Sequence, residues 1–257
     1  MMTLDELAAL QALVAPPRAE RREPVASESN GPPIGEIIRA VLARVEEPPR
    51  FAQPRGIVTC AGGATYHVNA YVLFRLLREL GCTLPIECFY IGERERDPLW
   101  ERLVEPLGVA CIDARSRGFI GNPFAPADVK FHGGWGYSRR ELDGYSLKAF
   151  ALAHCGFRQA LFLDADNNPA RDPSEVFDWP EFRGSGLVLW PDAPNCPAAP
   201  RLDVFGLAET HTAEKVNGIE TGQIVADKTR LHVWSALSLA VWFNEHAQPF
   251  YTASWGD

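Results

Sequence analysis

Residues 159–173, QALFLDADNNPARDP, decide the reading of the fold. Leu161, Phe162 and Leu163 are too apolar for a solvent face, which marks a strand buried on both sides, and the run ends on Asp164 and Asp166. In an extended chain, residues two apart point the same way. The sequence therefore predicts two carboxylates on one side of a strand end, a hard-oxygen site suited to Mn2+ or Mg2+. A bare D-x-D is common, and Asn167, Asn168 and Pro169 also allow a turn whose carboxylates cap neighbouring amides. The metal reading is preferred because the motif follows a strand at a sheet end.

Upstream, strands and helices alternate. Gly56–Cys60 reads as a strand that stops at Gly62-Gly63, and a helix follows from about Thr65 to Leu80, with Val72, Leu73, Leu76, Leu77 and Leu80 on one face. Gly81 closes that helix. Ile86–Ile91 and Val109–Ile112 read as strands flanking a helix at Pro98–Leu107. Gly118–Tyr145 reads as a long Gly- and aromatic-rich loop carrying His132, Trp135, Tyr137, Arg139 and Arg140, a composition that suits a lid over a diphosphate. A helix at Leu147–His154 precedes the 159–163 strand. This succession predicts an α/β fold, Rossmann-like, with a mostly parallel central sheet covered by helices on both faces. Ligands in such sheets sit at the carboxyl ends of the strands, where Gly62-Gly63 and Asp164 both fall.

The first fifty residues differ. Leu4, Leu7, Leu10 and Leu13 suggest a short amphipathic helix, a Pro-rich charged linker runs to Pro33, and a second helix covers Ile34–Val45. They read as an appendage to a main domain over residues 51–257. At 257 residues, with 46% apolar and 23% charged residues, the chain has the composition of a soluble globular protein, and no apolar run is long enough to span a membrane. The acidic N-terminus is not a secretory signal, so a cytoplasmic location is the expectation. Cys60, Cys82, Cys88, Cys111, Cys155 and Cys196 include no CxxC pair and read as free, mostly buried thiols. The formal charge of −8 argues against a nucleic-acid partner. It also means that a bound diphosphate needs a cation. A carboxylate about 4 Å from a phosphate charge costs on the order of 4 kcal/mol at an effective dielectric near 20, and a divalent ion reverses that sign.

Three segments in order, KAFAL from Lys148, LFLDADNNPARDP from Leu161 and ETGQIVADK from Glu220, resemble the alpha-mannosyltransferase family of fungal Golgi enzymes and their relatives. The resemblance covers roughly Gly56 to Asp257 and implies the GT-A fold of nucleotide-sugar transferases. It implies that Asp164 and Asp166 hold the metal, with Asp164 also on the donor's ribose and diphosphate. Thr59, Cys60, Ala61 and Gly62 then occupy the strand end that cradles the nucleoside, and Lys148 faces donor phosphate. Thr221, Gly222 and Gln223 match the segment lining the sugar pocket, and Trp190 and Asp192 a strand end near the acceptor. Glu220 or Asp257 would be the catalytic group beside the transfer point. The expected reaction is transfer of a hexosyl group, mannosyl by the resemblance, from a GDP- or UDP-sugar to a glycan or other hydroxyl, with retention. Related enzymes continue after a G-D-K segment and place a histidine ligand later still, whereas this sequence stops at Gly256-Asp257. The expectation is a chain cut short that binds donor weakly alone. The fungal enzymes also carry an N-terminal membrane anchor, and the expectation here is a bacterial-type cytoplasmic relative without one.

Without the resemblance, several of these residues have plainer readings. Lys148 would be a solvent-facing lysine, His154 a packed one on the face of Leu147 and Ala151, Gly62-Gly63 a tight strand-to-helix turn, and Glu220–Gln223 a polar strand entry. A phosphatase of the haloacid-dehalogenase type also places D-x-D after a strand, but on the first strand and with Thr or Val where this chain has Asn168. A nucleotidyltransferase would carry basic residues in GIVTCAGGATY, which has none. A non-catalytic, transferase-like glycan-binding or scaffold module remains the rival from another class.

Overall fold

The computed structural model describes residues 34–121, 128–130, 136–192 and 219–246, with side chains omitted at 34, 128–130 and 136–143. Helix α1 (Ile34–Leu42) leads to strand β1 (Gln53–Cys60), helix α2 (Ala64–Glu79), β2 (Ile86–Tyr90), α3 (Pro98–Val104) and β3 (Val109–Asp113). A small antiparallel pair, β4 (Asp128–Lys130) and β5 (Gly136–Ser138), precedes α4 (Arg139–His154). Strand β6 (Phe157–Leu163), α5 (Pro180–Ser185), β7 (Leu187–Pro191), β8 (Ile219–Asp227) and α6 (Leu231–Glu245) complete the described chain.

Six strands form one sheet in the order β3-β2-β1-β6-β8-β7. The first four run parallel, and β8 lies antiparallel between β6 and β7. The α/β class and the mostly parallel sheet are as expected. Strand β6 shows why its sequence is apolar throughout. Period-two alternation sends Leu161 and Leu163 to one face, where they pack with Leu73, Phe74 and Leu77 of α2 and with Trp100 and Val104 of α3. Ala160 and Phe162 go to the other face, against Leu147, Phe150 and Ala151 of α4 and Val233 and Leu237 of α6.

Several boundaries shift from the sequence reading. Helix α4 starts at Arg139, inside the stretch expected to be loop. The helix expected over Pro98–Leu107 is α-helical only to Val104 and finishes as a 3-10 turn over Glu105–Leu107. Its start is set by Asp97, whose carboxylate accepts from Leu99 N at 2.9 Å and Trp100 N at 3.2 Å, with Pro98 in the first turn. Val72 does not lie on the buried face of α2. It is 50% exposed, and the face is built from His67, Ala70, Leu73, Phe74 and Leu77. Five of the six cysteines fall among the described residues, and all five are free. Trp234 of α6 donates to Glu46 O at 2.9 Å, and α1 lies against α6. No helix among the described residues is long and apolar enough to cross a membrane. The 3–14 segment, His132, Trp135 and Cys196 lie outside the described residues, as do the side chains of Tyr137, Arg139 and Arg140.

One guanidinium organises the far side of the sheet. Arg78 donates to Leu107 O at 2.8 Å, Cys82 O at 2.6 Å and Leu84 O at 2.8 Å, tying the end of α2 to the turns that enter β2 and β3. Arg78→Met removes all of these bonds and leaves three partly buried carbonyls. Urea denaturation of this variant is expected to show a loss of about 1–2 kcal/mol.

Candidate functional site

At the carboxyl end of β6 the chain turns at once. Asn167 N donates to Asp164 O at 3.0 Å, closing a turn over Asp164–Asn167. The expectation of two parallel carboxylates on an extended strand is therefore corrected. The strand stops at Leu163, and the turn leaves Asp164 half-buried and Asp166 exposed. Asn and Pro in the following positions favour that turn. It is stapled to β8, because the Gly222 carbonyl accepts both Asp164 N at 2.8 Å and Asn167 Nδ2 at 2.5 Å.

Four of the expected site residues meet there. Lys148 Nζ lies 2.6 Å from Asp164 Oδ2, with the two side chains 23% and 25% exposed. Lys148 is thus not the solvent-facing lysine of the plainer reading. Glu220 Oε1 accepts from Gly222 N at 2.7 Å. Gly222 is where β8 and Asp164 approach most closely: a Cβ there would sit 3.0 Å from Glu220 Oε1 and 3.1 Å from Asp164 Oδ2. Burial pushes the Asp164 carboxyl above its ordinary value, Lys148 pulls it back, and the charges of Asp166 and Glu220 add to the rise. Cys60 faces the same group. Its thiol is pushed well above the usual range by burial and then by the Asp164 charge, with Lys148 opposing.

The end of β1 supplies the other side. Gly62 is covered by the Glu95 carboxylate, and a Cβ on Gly62 would come 2.5 Å from Glu95 Cδ. Glu95 in turn accepts from Ile91 N at 2.8 Å, which joins the ends of β1 and β2. Gly63, at φ 75°, caps α2, so the glycine pair makes the strand-to-helix turn. Ala61 is buried, its N–H bonded to Phe89 O at 2.9 Å. Thr59 is corrected. Its side chain is wholly buried on the face of Ile57, its hydroxyl has no partner among the described residues, and it belongs to the core rather than to an open cradle.

Trp190 stands on β7 opposite Glu220 and packs near Trp179, with ring centroids 6.2 Å apart; the half-buried Asp192 follows it. Thr221 is exposed, and Gln223 is half-buried opposite Leu163. Asp257 lies outside the described residues. His154 is exposed rather than packed in the core, its ring stacked on Phe150 at 4.0 Å with Nδ1 at 3.0 Å from Phe150 O. Sequence reasoning missed Glu95, one acid in the charged run GERERD, and Asn167, whose amide role depends on the turn. It also left Lys228 without a role. This lysine ends the ETGQIVADK stretch, is fully buried, and holds Ala153 O at 3.0 Å and Cys155 O at 2.7 Å.

As a donor set for a cation, the site offers oxygen only. Asp164 and Asp166 lie in one turn with Glu220 close enough to act on Asp164, and Lys148 is the cation in contact with that carboxylate. This suits a hard divalent ion. Among the described residues no group of three His, Cys, Asp or Glu side chains is placed to hold a metal unaided, so phosphate oxygens and water would complete the shell.

Comparison with known proteins adds three findings about relatives. The chain is 32% identical over 190 residues to the alpha-1,2-mannosyltransferase MNN21 of Candida albicans, covering 73% of this chain and 27% of that protein. It is 32% identical over 143 residues to the alpha-1,2-mannosyltransferase MNN5 of Saccharomyces cerevisiae, covering 55% of this chain and 22% of that one. The chain thus spans about a quarter of the length of these relatives. Among solved structures, the bifunctional glycosyltransferase WbbM matches with a TM-score of 0.47 and 14% identity over 80% of this chain and 38% of its own. The model of the family described as "Mannosyltransferase putative" matches residues 54–215, from β1 through the Asp164 turn and beyond β7, and this chain belongs to that mannosyltransferase family.

Proposed function

We propose that this chain binds a nucleotide-diphosphate sugar across the carboxyl ends of β1 and β6, on a GT-A fold. It transfers the hexosyl group, a mannosyl, to a glycan or other hydroxyl acceptor with retention. The observation that carries the proposal is the convergence of Lys148, Asp164, Gly222 and Glu220 at that sheet end, where open α/β sheets take their ligands. The names of the fungal relatives, alpha-1,2-mannosyltransferases, support the choice of sugar.

Each group has a role in this reading. Asp164 and Asp166 would hold Mn2+ or Mg2+, with oxygens of the donor's diphosphate adding to the ligands. When bound, the cation stabilises negative charge on the departing nucleoside diphosphate. Lys148, on a flexible stem within reach of Asp164, supplies a second positive charge to the phosphates. Cys60 and the backbone of Ala61 and Gly62 line the nucleoside side. Glu220, oriented by the Gly222 N–H, sits beside the transferred sugar. The half-buried surroundings of Asp164 strengthen these interactions relative to open water.

Calorimetric titration of GDP and UDP, each with and without Mn2+, tests the proposal. One nucleotide is expected to bind only with the metal present, and Asp166→Ala is expected to weaken that binding about tenfold to a hundredfold. If the folded chain binds neither nucleotide under any condition, the non-catalytic, transferase-like module becomes the better account.

A further inference from the structure

We infer that Lys148 occupies the cation's place at Asp164 and leaves it only when a donor diphosphate arrives to receive the ammonium group, so that metal and nucleotide bind this chain as a pair and neither binds well alone. The inference rests on the donor-site reading above and adds to it an order and a coupling.

Three observations carry it. The first is the ion pair. At 2.6 Å the ammonium group sits on Asp164 Oδ2, and both side chains are about three-quarters buried, so the contact is only partly screened by water. A divalent cation approaching Asp164 meets a positive charge already in position, and like charges at such range repel strongly. The second is the ligand count. No group of three acidic, His or Cys side chains among the described residues is placed to hold a metal. The described residues alone thus offer a cation few ligands with which to displace the lysine, and the oxygens of a diphosphate would add to them. The third is that the lysine's helix is anchored by groups other than Lys148 itself. The carboxyl end of α4 is held by Arg117 on His154 O at 2.7 Å and by Lys228 on the carbonyls of Ala153 and Cys155. Lys148 Nζ also lies 6.0 Å from the centre of the exposed Tyr145 ring. A change of partner is then a side-chain movement on a stationary helix, which a flexible lysine stem allows.

The exchange balances in charge. Before it, one ammonium answers Asp164, with Asp166 and Glu220 nearby. After it, a divalent ion answers the carboxylates and the ammonium answers the added phosphate charge. A diphosphate arriving without the divalent ion would add negative charge beside these carboxylates, and that is the source of the coupling.

Electron paramagnetic resonance of free Mn2+ measures metal affinity without using activity. In the parent chain, the nucleotide that binds is expected to tighten Mn2+ at least tenfold. In Lys148→Met, which keeps the stem and removes the charge, Mn2+ alone is expected to bind about tenfold more tightly than in the parent, and the coupling factor is expected to fall toward one. Nucleotide affinity at saturating Mn2+ falls about tenfold in the same variant. Lys148→Arg keeps the charge and is expected to keep Mn2+ weak in the absence of nucleotide. If Lys148→Met binds Mn2+ alone no better than the parent, while circular dichroism shows it folded and nucleotide still binds, the competition is refuted and the donor site stands. A parent that binds no nucleotide with Mn2+ overturns the donor reading itself, and the coupling with it.

Discussion

Asp164→Asn is expected to lower the rate of nucleoside diphosphate release from the donor sugar about a thousandfold while leaving the fold intact. The amide has the shape of the carboxylate but no charge. It has one neutral oxygen, which can accept from Lys148, 2.6 Å from the carboxylate in the parent, or meet a cation, but holds either more weakly than a carboxylate does. Both kcat and kcat/KM are expected to fall, because the lost interaction is strongest as charge develops on the leaving group. Stability is expected to move the other way or not at all. Burial raises the Asp164 pKa in the folded chain, so between the unfolded and folded values the folded state binds more protons than the unfolded one. Stability therefore falls as pH rises through that window, and at neutral pH the ionised group is a net burden on the fold. Removing it relieves that burden. A thermal melt of Asp164→Asn at or above the parent's, alongside the loss of activity, would mark the carboxylate as kept for its site. An early melt would mark the Lys148–Asp164 ion pair as a structural contact.

How much of this was legible in the sequence depends on the range of the interaction. The 161–163 strand and its place in a parallel sheet were legible because burial on both faces leaves no polar position to misread. The start of α4 was not, because Ser138–Ser146 has no apolar periodicity and Gly144 within it reads as a loop residue. The face of α2 was misjudged at Val72 because the buried stripe is centred on Ala70 and Phe74, and a small alanine gives little hydrophobic signal. The D-x-D was legible as a site but not in shape. Its two carboxylates share a turn rather than a strand face, and what fixes that turn is the carbonyl of Gly222, 58 residues past Asp164 in the sequence. Lys148 lies 16 residues before Asp164, and their contact exists only because α4 packs over β1 and β6. Residues read from local pattern were placed well. Those whose role is a partner across the sheet end needed either the family resemblance or the folded structure.

Lys228→Met is expected to destabilise the chain by about 2–4 kcal/mol. Lys228 is fully buried, and its Nζ donates to Ala153 O at 3.0 Å, to Cys155 O at 2.7 Å and to Cys155 Sγ at 3.2 Å, with the Phe51 ring 4.6 Å away. Those carbonyls end α4, where the last turn has no intrahelical donors and the helix dipole favours a positive charge. Arg117 takes the carbonyl between them, on His154, at 2.7 Å. Methionine fills similar volume but donates nothing, so two buried carbonyls lose their partner. The charge also has a cost, and this gives a second signature. Burial lowers the Lys228 pKa in the folded chain, with Cys155 and Glu87 opposing. Between the folded and unfolded values the unfolded state binds more protons, so stability rises with pH through that window as the buried ammonium loses its proton. The neutral amine still donates to the carbonyls. The gap between parent and Lys228→Met, measured by urea denaturation at neutral and then at alkaline pH, is therefore expected to widen on the alkaline side. The motif that places Glu220 and Gly222 at one end of β8 thus ends on a lysine that fixes the helix carrying Lys148. A chain losing Lys228 is expected to lose part of its donor affinity by misplacing Lys148, before it unfolds. A variant that keeps full stability would show that those carbonyls find other donors, and the rigid α4 would then need another explanation.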